Sequence, residues 1–343
     1  MAQSGYRILS CFYKTNSRLL NSGFTDHVFV TQVRGRKRWH RSLYKAFYWR
    51  RIEQGPEPER PRSAWINWNY DAEIFALGQR LKEDFTETTL KRALTHSSYI
   101  QKEKVLRKDL EMGDEVHLED NCELVKKGEE FTNDYVKAYL RHSFPALPEE
   151  GICSISEYLQ SDEMLAEIGR NIGIKDLILC AEFPPSTATL SQSLKAMIGG
   201  LVQDQGSHTA EHFVQDFIIT MMVGKDVMEM WEIVNPMGVL QSVIQKQQHG
   251  DIESRLLYET GANTVLATYM VGVYSDKKLL GKGYGETLSI AEEMAARDAL
   301  RKFFGITLNQ EPLPFNEDGH RLEIDHRKIN ASIKDYLTPS QLQ

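Results

Sequence analysis

Apolar residues recur at three- and four-residue spacing from Trp65 to about Trp231, as in Ile74, Leu77, Leu81 and Phe85 or Tyr135, Val136, Tyr139 and Leu140. That period predicts helices throughout this stretch, with no strand-like alternation. Breaks fall at Pro145 and Pro148 and again at Pro184 and Pro185, each close to a Glu or Ser able to start a new helix. After Asn235-Pro236 the pattern changes. A short helix through Gln248 precedes three strand candidates, Ser254–Thr260, Val265–Tyr274 and Lys278–Tyr284, with a tight turn at Ser275–Lys277. Residues 287–304 return to helical spacing, with Ala291, Met294, Ala295 and Leu300 on one face. The expected fold class is α+β in two domains: all-α over 65–232, then α-β-β-β-α over 236–306. A polar tail with three prolines, 307–343, is expected to drape over the surface.

Charge separates the start of the chain from the rest. The net charge of the 343 residues is −7, yet residues 1–52 hold eleven Lys or Arg against one acid, leaving 30 basic and 47 acidic residues elsewhere. Residues 1–30 open with spaced cations, Ser, Asn and scattered apolar residues, a composition that fits a mitochondrial presequence. Residues 31–64 form a basic aromatic arm that ends in the Pro-rich linker GPEPERPRS. Within the arm, Arg34, Arg36, Lys37, Arg38, Trp39, Arg41, Lys45, Arg50 and Arg51 are the candidate RNA contacts, because cations meet phosphates and aromatics stack on bases. A solvated or signal-recognition tail is the plainer alternative, and the density of aromatics argues against it. No run of eighteen apolar residues occurs, so no membrane span is expected. Cys11, Cys122, Cys153 and Cys180 are scattered without a C-x-x-C pair, which suggests neither a zinc site nor a disulfide framework.

Three ordered segments resemble ribonuclease III: LKRALTHSSYI (90–100), Asn121–Pro148, and TLSQSLKAMIGGLVQDQG (189–206). The resemblance implies a helical nuclease frame in which four carboxylates from two helices hold Mg²⁺ to activate water. In this register those positions are Val125, Glu129, Gln192 and Lys195, and only Glu129 is an acid. The four side chains sum to zero charge, and an ammonium repels a divalent cation. The expectation is therefore no catalytic residue, no metal and no cofactor, with Glu129 a helix-surface charge or an ion-pair partner.

Pro236–Leu240, Gly281–Gly285 and AEEMAARDAL (291–300) resemble a double-stranded RNA-binding domain, the module that follows the nuclease in ribonuclease III enzymes. That family's paired lysines at the start of the last helix fall on Leu288 and Ser289, and its first strand-to-strand loop reads Gly261-Ala262-Asn263-Thr264. Residues 236–305 hold eight basic and eight acidic groups, a poor balance for duplex binding. Gln241, Lys277 and Lys278 are the RNA-contact candidates here. His208 and His212 in HTAEH match an inverted zincin pattern without a third ligand, so a helix-surface pair is the better reading. Gly281–Gly285 has the wrong spacing for a phosphate loop, and His96 reads as a packing histidine at a helix end.

The whole arrangement, including WNYDAEI (68–74), KDVMEMWEIVNPMG (225–238) and GETLSIAEEMAARDALRKF (285–303), resembles ribonuclease III-like proteins of the mitochondrial ribosomal large subunit. That resemblance implies a structural role in the mitochondrial matrix. Its partners would be large-subunit rRNA, neighbouring ribosomal proteins and a possible nuclease-like dimer partner. Two rivals stand beside it, an active mitochondrial double-stranded RNA endonuclease and a non-ribosomal mitochondrial RNA-binding protein.

Overall fold

The computed structural model describes residues 42–55, 59–111, 118–246, 250–261, 264–306, 313–315 and 319–335. The chain divides into two compact units, residues 1–59 and 60–343. In the first, residues 42–54 form helix α1, all of whose residues are exposed. Tyr48 and Trp49 meet there edge to face, with ring centroids 5.9 Å apart.

The second unit begins with helices packed around one apolar core. Helix α2 (Tyr70–Leu81) is capped by Asn69, whose side chain accepts from the Ala72 amide, and buries Ile74 and Leu77. The periodic run to Phe85 stops a turn early because Lys82 takes a left-handed conformation, φ 59°, that ends the helix. Helices α3 (Glu87–Leu94) and α4 (Ser97–Asp109) follow. Between them Thr95 forms a parallel bridge with Leu179, the one strand-like contact among the described residues of this domain.

Two long helices, α5 (Cys122–Ser143) and α8 (Thr187–Asp204), form the centre. Helices α6 (Glu149–Leu159) and α7 (Asp162–Ile172) lie between them in sequence, and α9 (Ser207–Phe217) and the single turn α10 (Val227–Met230) come after. Pro148 directly precedes α6, and Ser186 caps α8 by accepting from the Thr189 amide, which fits the proline breaks read from sequence. Leu124, Val136, Tyr139, Leu140, Leu194, Met197, Ile198 and Leu201 are buried between the two long helices and their neighbours.

Helix α11 (Pro236–Lys246) opens the second domain, with the Asn235 side chain accepting from the Gly238 amide. Strands β1 (Ile252–Thr260), β2 (Thr268–Ser275) and β3 (Lys278–Gly285) form an antiparallel sheet in the order β1-β2-β3. The β2–β3 turn is tighter than the sequence suggests. Ser275 pairs with Lys278, and only Asp276 and Lys277 remain in the turn, both with positive φ. Strand β2 starts at Thr268 and not Val265, because the Thr264 amide bonds back to Gly261 and the Ala267 amide to Thr264. Helix α12 (Leu288–Phe303), capped by Thr287, lays Ala291, Ala295, Ala296 and Ala299 on the sheet.

The described part of the tail returns to the helical domain. Tyr139 and Gln215 both donate to the Pro314 carbonyl, at 2.9 and 3.2 Å. Asn330, only 8% exposed, donates from Nδ2 to the carbonyls of Phe144 and Leu147, at 2.9 and 2.8 Å. Glu150 accepts from the Ser332 hydroxyl and the Ile333 amide, and these bonds outweigh its burial and hold its carboxyl below the ordinary range.

Candidate functional site

The crossing of α5 and α8 is the centre of the candidate site. Backbones can approach this closely because each helix presents a glycine. A Cβ built on Gly128 would stand 1.9 Å from the Lys195 carbonyl oxygen, and one on Gly199 would stand 2.1 Å from that of Leu124. The Ile-Gly-Gly step therefore has a packing cause, since only a missing side chain lets the two helices meet here. The Asn121 side chain, buried at the start of α5, donates to the Ala93 carbonyl and fixes that end of the helix against α3.

Around this crossing the structure places all four positions singled out in the sequence. Glu129 and Lys195 meet directly, Nζ donating to Oε1 at 2.8 Å, with the lysine side chain 14% exposed and the glutamate 54%. Gln192, one turn earlier on α8, pairs its Oε1 with His96 Nε2 at 3.0 Å. Val125, one turn before Glu129, is half-buried and packs against the core. His96 has a role that sequence reasoning missed. Its Nδ1 accepts from the Ser98 amide and so caps α4, while the other ring nitrogen reaches α8. Among the described residues no three His, Cys, Asp or Glu gather where they could hold a metal ion.

The HTAEH histidines are engaged with each other. His208 and His212 rings lie 4.2 Å apart edge to face, and His212 stacks on His320 of the tail at 3.8 Å. His320 in turn meets Asp216 at 3.2 Å. Burial, then the neighbouring His320 and His208, lowers the pKa of His212.

In the second domain Gly281, Gly283 and Gly285 alternate toward α12. A Cβ on Gly281 would lie 2.4 Å from the Ala295 carbonyl oxygen and one on Gly283 2.2 Å from the Ala295 amide. This run is a surface on which a helix backbone rests. Leu288 and Ser289 stand exposed in the first turn of α12, which holds no acid, and the basic residues of its last turn are Arg301 and Lys302. Those are already paired: Arg301 with Asp226 and Lys302 with Asp298.

Of the other RNA-contact candidates, Lys45, Arg50 and Arg51 lie exposed on α1, where Arg50 and Arg51 border a shallow hollow with Tyr44, Phe47 and Tyr48. Arg34, Arg36, Lys37, Arg38, Trp39 and Arg41 lie outside the described residues. Gln241 is exposed on α11, and Lys277 and Lys278 are exposed at the β2–β3 turn. Lys278 shares a hollow with Leu240 and Ile244 of α11, so the structure brings that turn beside the helix.

Residues 69–201 match the family model for the large ribosomal subunit protein mL44, endonuclease domain, and residues 231–337 match that for the MRPL44 dsRNA-binding domain. Large ribosomal subunit protein mL44 of Caenorhabditis elegans is 35% identical over 309 residues, which is 89% of this chain and 77% of that protein. The chain belongs to the mL44 family. Ribonuclease 3 of Enterococcus faecalis is 27% identical over 218 residues, 62% of this chain and 89% of that enzyme. The nuclease domain of ribonuclease III from Campylobacter jejuni superposes with a TM-score of 0.35 at 22% identity, covering 47% of this chain and 99% of that structure. The mL44 family thus joins a ribonuclease III-like helical domain to a double-stranded RNA-binding-like domain, the α+β order expected from the pattern of the sequence. The second mL44 match runs on into the tail that carries Asn330.

Proposed function

We propose that this chain is a structural constituent of the mitochondrial large ribosomal subunit, in the matrix, built on a nuclease frame that no longer cleaves RNA. The likeness to mL44, a large ribosomal subunit protein by name, supports the ribosomal part. One observation carries the loss of cleavage: the Lys195 ammonium lies 2.8 Å from Glu129, the one acid among the four positions that resemble the metal-binding set. These residues do not suit Mg²⁺. Val125 offers no donor atom, Gln192 is engaged by His96, and the only carboxylate already has a cation beside it. An ammonium fixed there opposes a second positive charge.

RNA contact passes in this reading to the basic arm, including Lys45, Arg50 and Arg51, with Gln241, Lys277 and Lys278 as weaker contacts. Paired cations on α12 and a first turn without Lys or Arg leave the second domain little to hold phosphates. Neighbouring ribosomal proteins, with a possible nuclease-like dimer partner, supply the remaining contacts.

Sedimentation of mitochondrial lysate with and without EDTA tests the ribosomal part. The chain is expected to follow the large subunit after the ribosome dissociates, and free sedimentation would end this reading. Incubation of the purified chain with duplex RNA and Mg²⁺ or Mn²⁺ tests the second part. No cleavage is expected, whereas metal-dependent cleavage that falls on Glu129→Gln would mark an active endonuclease.

A further inference from the structure

Strand β1 is nine residues long and stands at the edge of its sheet, paired on one side with β2. Every residue after Ile252 is exposed. Its middle is apolar: Leu256, Leu257 and Tyr258 are 49%, 41% and 64% exposed, and a bulge between Leu256 and Tyr258 interrupts the register. The apolar surface continues across the face of the sheet turned away from α12. Gly272 of β2 is buried there, and a Cβ added to it would collide with the side chains of Leu257, Leu279 and Tyr274, so these three close over the glycine as one apolar patch. Beyond the end of β1, Val265 and Leu266 are 102% and 84% exposed in the loop leading to β2.

A free strand edge is a row of unpaired amides and carbonyls, and proteins usually guard it with Lys or Pro. Strand β1 has neither, and is guarded only by its bulge and by charged side chains. Its charged residues are Glu253, Arg255 and Glu259, and Arg255 is taken up by Glu253 and by the Tyr274 ring, 5.3 Å from its guanidinium. The one cation of the strand is therefore already engaged, which leaves no other Lys or Arg on it for a phosphate. The edge offers main-chain hydrogen bonds, apolar side chains and a net negative charge, which fits one kind of ligand.

We propose that the open edge of β1 receives an extended segment of another protein, which adds to the sheet as a fourth strand. Its apolar side chains would cover Leu256, Leu257 and Tyr258, and a basic side chain would face Glu259, the strand's acid outside the Glu253–Arg255 pair. The proposal rests on the ribosomal reading for the source of that protein, though not for the surface itself.

The test places a photoreactive p-benzoylphenylalanine at Leu257 in the full chain expressed in mitochondria, with the same group at the exposed Glu293 of α12 as control. Irradiated lysate is resolved by sedimentation, and adducts are digested with ribonuclease or protease. The expected adduct at position 257 is at least fivefold stronger than at 293 and resists ribonuclease. It maps to one short segment of a different protein that carries both apolar and basic residues. Placing lysines on the edge, Leu257→Lys with Tyr258→Lys, should cut adduct formation from a probe at Thr260 at least fivefold and leave circular dichroism unchanged. An adduct to RNA, to a second copy of this chain, or no stronger than at 293 overturns the proposal. The gradient separates the two readings. A chain absent from the large subunit defeats the ribosomal assignment, while the identity of the adduct still decides the role of the edge.

Discussion

A methyl group added at Gly128 would overlap the Lys195 carbonyl, and the backbone of a facing helix cannot swing away as a flexible side chain can. Gly128→Ala is therefore expected to cost about 3 kcal/mol or more, read as a lower urea midpoint with far-UV dichroism checking that helices persist. The same scale decides a pH effect. His212 has its pKa lowered by burial and by His320 and His208, with Asp216 acting in the opposite sense. The unfolded chain therefore binds the proton more readily than the folded one. Stability is complete above the ordinary histidine value of 6.5 and is lost as pH falls through it toward the lower folded-state value. Urea midpoints measured from about pH 7.5 down to about pH 5.5 should decline, and His212→Gln should flatten that decline. A profile unchanged by the substitution would mean that the ring stack is not the sensor.

At the level of elements, the most informative segment is one whose role the pattern of residues does not reveal. Residues 313–335 read as a polar tail with no period, yet Asn330 inserts between Phe144 and Leu147 and satisfies two carbonyls where α5 gives way to α6. Asn330→Ala leaves both without that donor and is expected to cost about 2–3 kcal/mol in docking. Faster amide exchange across 319–335, with exchange in α5 and α8 unchanged, would be the signature. The regular elements were far more legible. Periodicity gave a helical domain followed by the α-β-β-β-α order, since those patterns follow from which face is buried. It misjudged ends that local backbone conformation sets, such as Lys82 closing α2 early and the Gly261–Thr264 turn delaying β2.

The helical domain and the RNA-binding-like domain share a packed seam. Trp231, 6% exposed, lies against Gly151 on one side and has its ring 5.8 Å from Phe304 on the other, and Arg301 of α12 reaches Asp226. Trp231→Ala is expected to remove about 3–5 kcal/mol and to split one calorimetric transition into two as the domains unfold separately. A single sharp transition in the variant would show that the tail alone couples them. This seam also engages Arg301 in the last turn of α12 with an acid of the helical domain.

What the sequence by itself determined is composition and order: a basic arm, a helical domain and a mixed domain, to which its resemblance to ribonuclease III adds four positions with one acid among them. Those depend on residue identity and on spacing along the chain, which a linear string carries in full. That Lys195 would take Glu129 as its partner, that His96 would hold Gln192, and that Gly128 and Gly199 would form one contact was decided only by the tertiary structure. Each of these joins residues 66 or more positions apart, and their distance is set by how two helices cross, not by any local preference. The open edge of β1 belongs to the same class. Alternation identifies a strand, but only the completed sheet shows which strand, among the described residues, is paired on one side alone.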